Sequence, residues 1–232
     1  MGMVGAMTQQ TDTQQSQKAK AGAIIVPVTP FEQNCTIIWD EPSKKALVID
    51  PGGDVSKILE AIRQTGVTVE KICVTHGHAD HLGGAAELRD ALKAPIEGPH
   101  IGDKFLLESV EASAARFGMT DARNFVPDRW LSDGDKVVVG DLTFDIIHCP
   151  GHSPGSVVFF NKELRFAQVG DVLFNGSIGR TDLPGGDYAT LISSIKTKLL
   201  SLGDDVGFIC GHGAGSTFGQ ERMTNPFLAG EL

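Results

Sequence analysis

Residues 76–81 read His-Gly-His-Ala-Asp-His, which places three of the chain's seven histidines within six positions. The segment follows an apolar run, Lys71–Thr75, and precedes Leu82-Gly83-Gly84-Ala85, where helical spacing begins. A strand that ends in a short polar loop can aim several side chains at one point. Neutral imidazole and carboxylate are the donors that zinc and similar divalent ions take. The i, i+2 spacing of His76 and His78 suits one ion gripped by alternate residues, with Asp80 and His81 turned toward a neighbouring ion. A merely solvated loop gains nothing from crowding these four together.

Two coordination shells need further ligands, and the sequence offers them at strand ends. His152 follows the strand that ends near His148, Asp171 follows Leu164–Val169, and His212 follows Val206–Cys210. Each is immediately preceded by a glycine (Gly151, Gly170, Gly211), which permits a sharp turn there. His148 reads as a packing or supporting residue and His100 as a solvated one. Cys149 and Cys210 read as small buried strand-end residues rather than thiolate ligands.

Around these residues, β-branched runs bounded by turn residues fall in two clusters. The first comprises Ala23–Val28, Cys35–Trp39, Ala46–Ile49 and Lys71–Thr75. The second comprises Lys136–Val139, Leu142–His148, Val157–Phe160, Leu164–Val169 and Val206–Cys210. Helical spacing marks Val55–Ile62, opened by Asp54 as N-cap, then Leu82–Leu92, Ile101–Phe117 and Tyr188–Leu200. The pattern defines a mixed α and β chain of one domain, and 232 residues suffice for a core of ordinary size. Residues 1–22, rich in Gln and Thr without hydrophobic period, read as a disordered tail, leaving 23–232 as the domain.

The net charge of −9 argues against nucleic acid as substrate, because an acidic surface repels polyphosphate. No apolar run is long enough to cross a bilayer, and the first residues lack the apolar core of a secretion signal. Four scattered cysteines without a C-x-x-C pair fit a reducing cytoplasm better than a disulfide framework.

With these residues assembled, the chain resembles the metallo-β-lactamase superfamily and, within it, the short bacterial glyoxalase II-like proteins. Further stretches that carry the likeness are Phe31-Glu32-Gln33-Asn34-Cys35, Asp50-Pro51-Gly52-Gly53 and Cys149-Pro150-Gly151-His152. Gly179-Arg180-Thr181-Asp182, Gly211-His212-Gly213 and Asn225-Pro226-Phe227 add to it. The resemblance implies a single-domain α+β fold, an αββα four-layer sandwich. It also implies hydrolysis of S-D-lactoylglutathione, or a related glutathione thioester, by a hydroxide bridging two metals. His76, His78 and His152 would hold one ion, Asp80, His81 and His212 the other, with Asp171 bridging; Asp80 and Asp171 would also be the catalytic carboxylates. Zinc is the default, with iron or manganese as alternatives. Longer relatives carry a helical C-terminal domain that supplies much of the glutathione site. Here the chain runs only a few residues beyond Asn225-Pro226, which leaves Arg180 and Tyr188 as candidate substrate contacts.

The nearest rival is a persulfide dioxygenase with one iron on His76, His152 and Asp171, which the Gly179–Asp182 stretch also resembles. Gly211-His212-Gly213 followed by Ser216-Thr217 favours the hydrolase. A β-lactamase shares the His-x-His-x-Asp-His loop but calls for a secretion signal. A metal-binding regulatory protein without turnover needs only four closed ligands, not seven.

Overall fold

The computed structural model describes residues 20–228. Eleven strands form two main sheets. The first has the order β1 (Ala21–Val28), β2 (Gln33–Asp40), β3 (Lys45–Ile49), β4 (Thr68–Cys73) and β5 (Ile96–Glu97). The second runs from β6 (Lys136–Val139) through β7 (Leu142–His148), β8 (Val157–Asn161) and β9 (Phe166–Gln168) to β12 (Gly207–Ile209) and β13 (Ser216–Thr217). Between β9 and β12 a small hairpin forms from β10 (Leu173–Phe174) and β11 (Ser177–Ile178). Parallel pairing joins β3 to β4, β4 to β5 and β9 to β12; the other pairs are antiparallel.

Strand parity sorts the apolar side chains into three buried layers. Ile37, Val48, Ile72 and Ile96 pack outward against Ile58 of α1 (Val55–Thr65) and Leu88 of α3 (Ala85–Leu92). Their opposite-parity neighbours Ile38, Leu47, Ile49 and Cys73 meet Val137, Phe144, Val157 and Phe159 of the second sheet. On that sheet's outer face Val158, Phe160, Ala167 and Phe208 are covered by Leu191 of α6 (Tyr188–Ser194), by Ile195 and Leu199 just after it, and by Phe218 of α7 (Phe218–Thr224). Strands covered on both faces read as continuous apolar runs, and β8, Val-Val-Phe-Phe-Asn, is buried throughout. Each fully buried Ile, Leu or Phe contributes about 1.5–3 kcal/mol, so the filling between the sheets is what locks them face to face. The expected αββα sandwich is the observed one.

Four expected elements differ in detail, one of them the helix expected over Tyr188–Leu200, which is α-helical only to Ser194 and continues as a π turn (Ile195–Leu199) and a 3-10 turn (Leu200–Leu202). The strand expected from Ala23 starts at Ala21, so residues 21 and 22, placed in the tail by sequence, pair with Asp40 and Trp39. A side chain at Gly22 would collide with the Trp39 ring, so a weakly apolar Ala-Gly start still joins the sheet. The remainder of that tail, residues 1–19, lies outside the described residues. The helix expected over Leu82–Leu92 is interrupted by Gly83-Gly84 between α2 (Ala79–Leu82) and α3, because both glycines press on the carbonyls of Pro51 and Gly52. The single helix expected over Ile101–Phe117 is a 3-10 turn (Ile101–Asp103) followed by α4 (Lys104–Leu107) and α5 (Val110–Ala115). Asp54 does precede α1, but with φ 48° its carboxylate accepts from the Thr29 amide instead of capping the helix. Among the described residues no helix is long and apolar enough to cross a membrane.

Candidate metal centre

The residues after β4, β7, β9 and β12 gather at one edge of the sandwich, and all seven side chains expected there come together. His76, His78 and His152 present donor atoms within 4.8 Å of one another, as do Asp80, His81 and His212. Asp171 lies between the two sets. Its Oδ1 is 3.2 Å from His81 Nε2, and its Oδ2 is 3.7 Å from His152 Nε2 and 3.8 Å from His212 Nε2. Asp80 Oδ2 stands 3.2 Å from His212 Nε2.

Hydrogen bonds fix which ring nitrogen carries the proton on two rings of the first set, His76 and His152. The Thr75 hydroxyl donates to Asp50 Oδ2 at 2.7 Å, so at 3.0 Å it can only accept from His76 Nδ1–H. His152 Nδ1–H donates to the Arg180 carbonyl at 2.8 Å. Nε2 of both rings is therefore a bare lone pair, and the two face each other at 3.2 Å, with His78 Nδ1 2.9 Å from His152 Nε2. The lone pairs of His76 and His152 repel unless a cation lies between them, while His78 Nδ1 is within hydrogen-bond reach of His152 Nε2. Burial, followed by the neighbouring imidazoles, pushes His76 well below the usual histidine range, and the same causes bring His78 down to about 3. These rings stay neutral, which is the ligating form.

The second set has the opposite need. Burial opposes charge on His81, but Asp171, Asp80 and Asp50 outweigh it and hold the imidazole well above its ordinary value. Burial likewise opposes ionisation of Asp171, and His81 outweighs it, so the carboxyl is held below its ordinary value. His81 Nδ1 donates to Asp50 Oδ2 at 2.9 Å and His212 Nδ1 to the Phe31 carbonyl at 3.1 Å, so both aim Nε2 at the carboxylates. His81 Nε2 and Asp171 Oδ1 are buried yet make no hydrogen bond. The cluster asks for positive charge at this point, and a divalent cation supplies it.

The glycines ahead of the ligands serve two purposes. Gly170 takes φ 53°, the left-handed turn expected of it. Gly211 is needed for space instead: a Cβ there would lie 2.0 Å from Asp171 Oδ1 and 2.4 Å from His81 Cε1.

Two acidic residues without an assigned role in the sequence emerge as supports. Asp50, fully buried after β3, accepts from His81, the Thr75 hydroxyl and, at 2.7 Å, the Thr75 amide. Its only sequence signal is a strand-end Asp before Pro51-Gly52-Gly53. Asp103, also fully buried, accepts from the amides of Gly77 and Gly155.

The candidate substrate contacts fare differently. Arg180 reaches the site through its carbonyl on His152, while its guanidinium forms a bidentate pair with Asp182 at the surface. Tyr188 is exposed at the start of α6, with Asp187, before it, bonded to the Gly151 carbonyl. His148 donates to the Pro154 carbonyl, the supporting role expected of it. His100 is not merely solvated: it stacks on His148 at 4.0 Å and accepts from the Gly102 amide. Cys149 and Cys210 are free and buried, with Cys35 and Cys73.

A fold of two sheets flanked by helices, with paired His and Asp clusters at one edge, defines a metallo-hydrolase class. Residues 28–212 match the model of the metallo-beta-lactamase superfamily, and the chain belongs to that superfamily. It is 47% identical over 205 residues to the hydroxyacylglutathione hydrolase GloC of Haemophilus influenzae, covering 88% of this chain and 96% of that one. Among solved structures, TTHA1623 in a di-iron-bound form is similar at 38% identity and TM-score 0.81, covering 88% of this chain and 100% of the other. The B3 metallo-beta-lactamase BLEG-1 is similar at 34% identity and TM-score 0.83, covering 90% and 100%. Members of this superfamily bind divalent metals, and the His/Asp cluster fits a pair of them.

Proposed function

We propose that this metallo-hydrolase cleaves S-D-lactoylglutathione, or a related acyl-glutathione, to a hydroxy acid and glutathione. The observation that carries the reading is the convergence of bare imidazole lone pairs on one side of Asp171 and unbalanced carboxylates on the other. The likeness to GloC supports the substrate class.

In this reading His76, His78 and His152 would hold one divalent cation and Asp80, His81 and His212 the other, with Asp171 placed between the two sets to serve either. Two such cations lower the pKa of bound water toward 7 and polarise a carbonyl. The residues of the chain do the rest. The Arg180 carbonyl fixes the ring of His152 and Asp50 that of His81, so no ligand need reorient during turnover. His212 and Asp80, with side chains 28% and 23% exposed, are the ligands of the second set that border solvent, and the acyl group would approach from their side. A thiolate, with a parent pKa near 8.5, leaves without needing a proton donor. Zinc is the cation we assign, with iron or manganese as alternatives, and four free buried cysteines accord with a cytoplasmic enzyme.

Elemental analysis of the purified protein, paired with colorimetric thiol release from S-D-lactoylglutathione, tests this. The expected outcome is about two equivalents of metal and turnover that chelation abolishes and metal restores. Metal-loaded protein that releases no thiol sinks the substrate assignment. The likeness to BLEG-1 favours one second reading, β-lactam hydrolysis at the same centre, which a chromogenic cephalosporin checks in the same preparation. Oxygen uptake on glutathione persulfide separates the dioxygenase reading, which leaves Asp80, His81 and His212 without a cation.

A further inference from the structure

Asp103 lies on the 3-10 turn before α4, far in sequence from every proposed ligand, and its side chain is completely buried. Its Oδ2 accepts from the Gly77 amide at 2.7 Å and from the Ser153 hydroxyl at 2.7 Å, while Oδ1 accepts from the Gly155 amide at 2.5 Å. Gly77 separates His76 from His78, and Ser153 follows His152. One carboxylate therefore ties together the two loops that present all three imidazoles of the first set. The fit is close on both sides. A Cβ at Gly77 would sit 3.0 Å from Asp103 Cβ and 2.7 Å from Leu106 Cβ, and one at Gly155 would sit 2.5 Å from Asp103 Cγ. The glycine inside the His-x-His pair is thus explained by the approach of Leu106 and of the Asp103 side chain.

The second set is oriented by other groups. His81 is held by Asp50 and His212 by the Phe31 carbonyl. The Asp103 carboxylate makes no hydrogen bond to either loop end that carries them.

We propose that Asp103 is a positioning residue dedicated to one of the two cations, the one assigned to His76, His78 and His152, while Asp50 orients His81 of the other set directly and touches the first set only through the Thr75 hydroxyl on His76. The inference rests on the ligand assignment under Proposed function. The physical basis is that supports of metal ligands typically change affinity 10- to 100-fold when removed. Here the support acts through loop backbone rather than through an imidazole nitrogen, so it acts on three ligands of one ion at once.

The test titrates the full-length apoprotein with cobalt(II), following ligand-field absorption and competition with a chelator to obtain two dissociation constants. His78→Ala and Asp80→Ala mark which constant belongs to which ligand set. Asp103→Asn is expected to raise the constant marked by His78→Ala by roughly 10- to 100-fold and to leave the one marked by Asp80→Ala within about threefold. Ser153→Ala, which removes one of the three donors, is expected to move the same constant in the same direction by less. Equal weakening of both ions, or of the Asp80-marked ion alone, overturns the proposal. A merely structural role would lower the melting temperature of the apoprotein without separating the two constants. Should Asp103→Asn fail to fold, Ser153→Ala decides, and an unchanged His78-marked constant refutes the assignment. If neither marker variant alters cobalt binding, the ligand assignment itself falls; if both do and Asp103→Asn and Ser153→Ala do not, only the role of Asp103 falls.

Discussion

Replacing Asp50 by Asn keeps the size of the side chain and removes one acceptor from a site where three donors converge. The carboxylate takes the Thr75 amide at 2.7 Å, the Thr75 hydroxyl at 2.7 Å and His81 Nδ1–H at 2.9 Å, all without solvent. An amide can place its oxygen at the Oδ2 position, keeping His81 and the hydroxyl, but its NH2 then faces the Thr75 N–H. The opposite orientation orphans the other two donors. At least one buried donor is left unsatisfied in either case, at about 1–3 kcal/mol, and the remaining bonds lose their charge assistance, about 1 kcal/mol each. The expected loss in the milder orientation is thus about 3–5 kcal/mol, a substantial part of the 5–15 kcal/mol that holds an ordinary domain together. Urea denaturation of the apoprotein measures it. Cobalt titration of the same variant is expected to show weaker binding, by roughly 10- to 100-fold, of the ion assigned to Asp80, His81 and His212. A variant as stable as the parent with both ions bound at parental affinity would show that Asp50 orients nothing.

Other perturbations probe separate parts of the site. Gly211→Ala forces a methyl group against Asp171 Oδ1 and the His81 ring, and is expected to leave a folded protein with about one metal equivalent by elemental analysis. Arg180→Ala removes only an exposed, solvent-screened ion pair with Asp182 and keeps the carbonyl that holds His152. Metal content is expected to be unchanged and the thioester KM to shift less than about threefold; a large rise in KM would restore Arg180 as a substrate contact. Burial pushes the Cys149 thiol up to about 12, so the folded chain keeps a proton that the unfolded chain releases near 9. Stability from this group is complete below pH 9 and falls as pH rises from there, by about 2 kcal/mol at pH 10.5. Cys149→Ala is therefore expected to flatten the alkaline limb of a stability–pH curve, and the native thiol to resist alkylation at neutral pH.

The metal-binding loop was legible because its chemistry is local: three imidazoles and a carboxylate within six residues need no fold to be noticed. His152, Asp171 and His212 were legible because each follows an apolar strand and a glycine. The supports were hidden for a physical reason. Asp50 and Asp103 act as acceptors for backbone amides and hydroxyls 25 to 52 positions away, and a main-chain partner leaves no residue type in the sequence to point at. The same holds for β5, β10, β11 and β13, two-residue strands whose existence depends on neighbours already in place. The broken helix at 101–117 misled the periodicity because Leu107, Val110 and Ala114 keep helical spacing across the break between α4 and α5. Gly102, pressed to the Pro154 carbonyl, and Asp103, turned toward Gly77, set the chain's path there instead.

Residues 75–81 contain almost nothing that hydrophobic packing could grip, yet this loop must hold four donor groups in register. The structure gives it two buried anchors of the same kind. Asp50 grips it at Thr75 and His81, from the β3 side, and Asp103 grips it at Gly77, from the side of α4. Hydrogen bonds to a charged acceptor contribute about 1.5–3 kcal/mol each, so a handful of them can substitute for the missing apolar contacts. A loop ordered in this way has met its conformational cost during folding, and a cation that binds to it need not order it again. Each anchor also carries negative charge toward a cluster that is to receive two divalent cations. The sequence therefore places its buried, hydrogen-bonded carboxylates where they give the ligands both direction and charge balance.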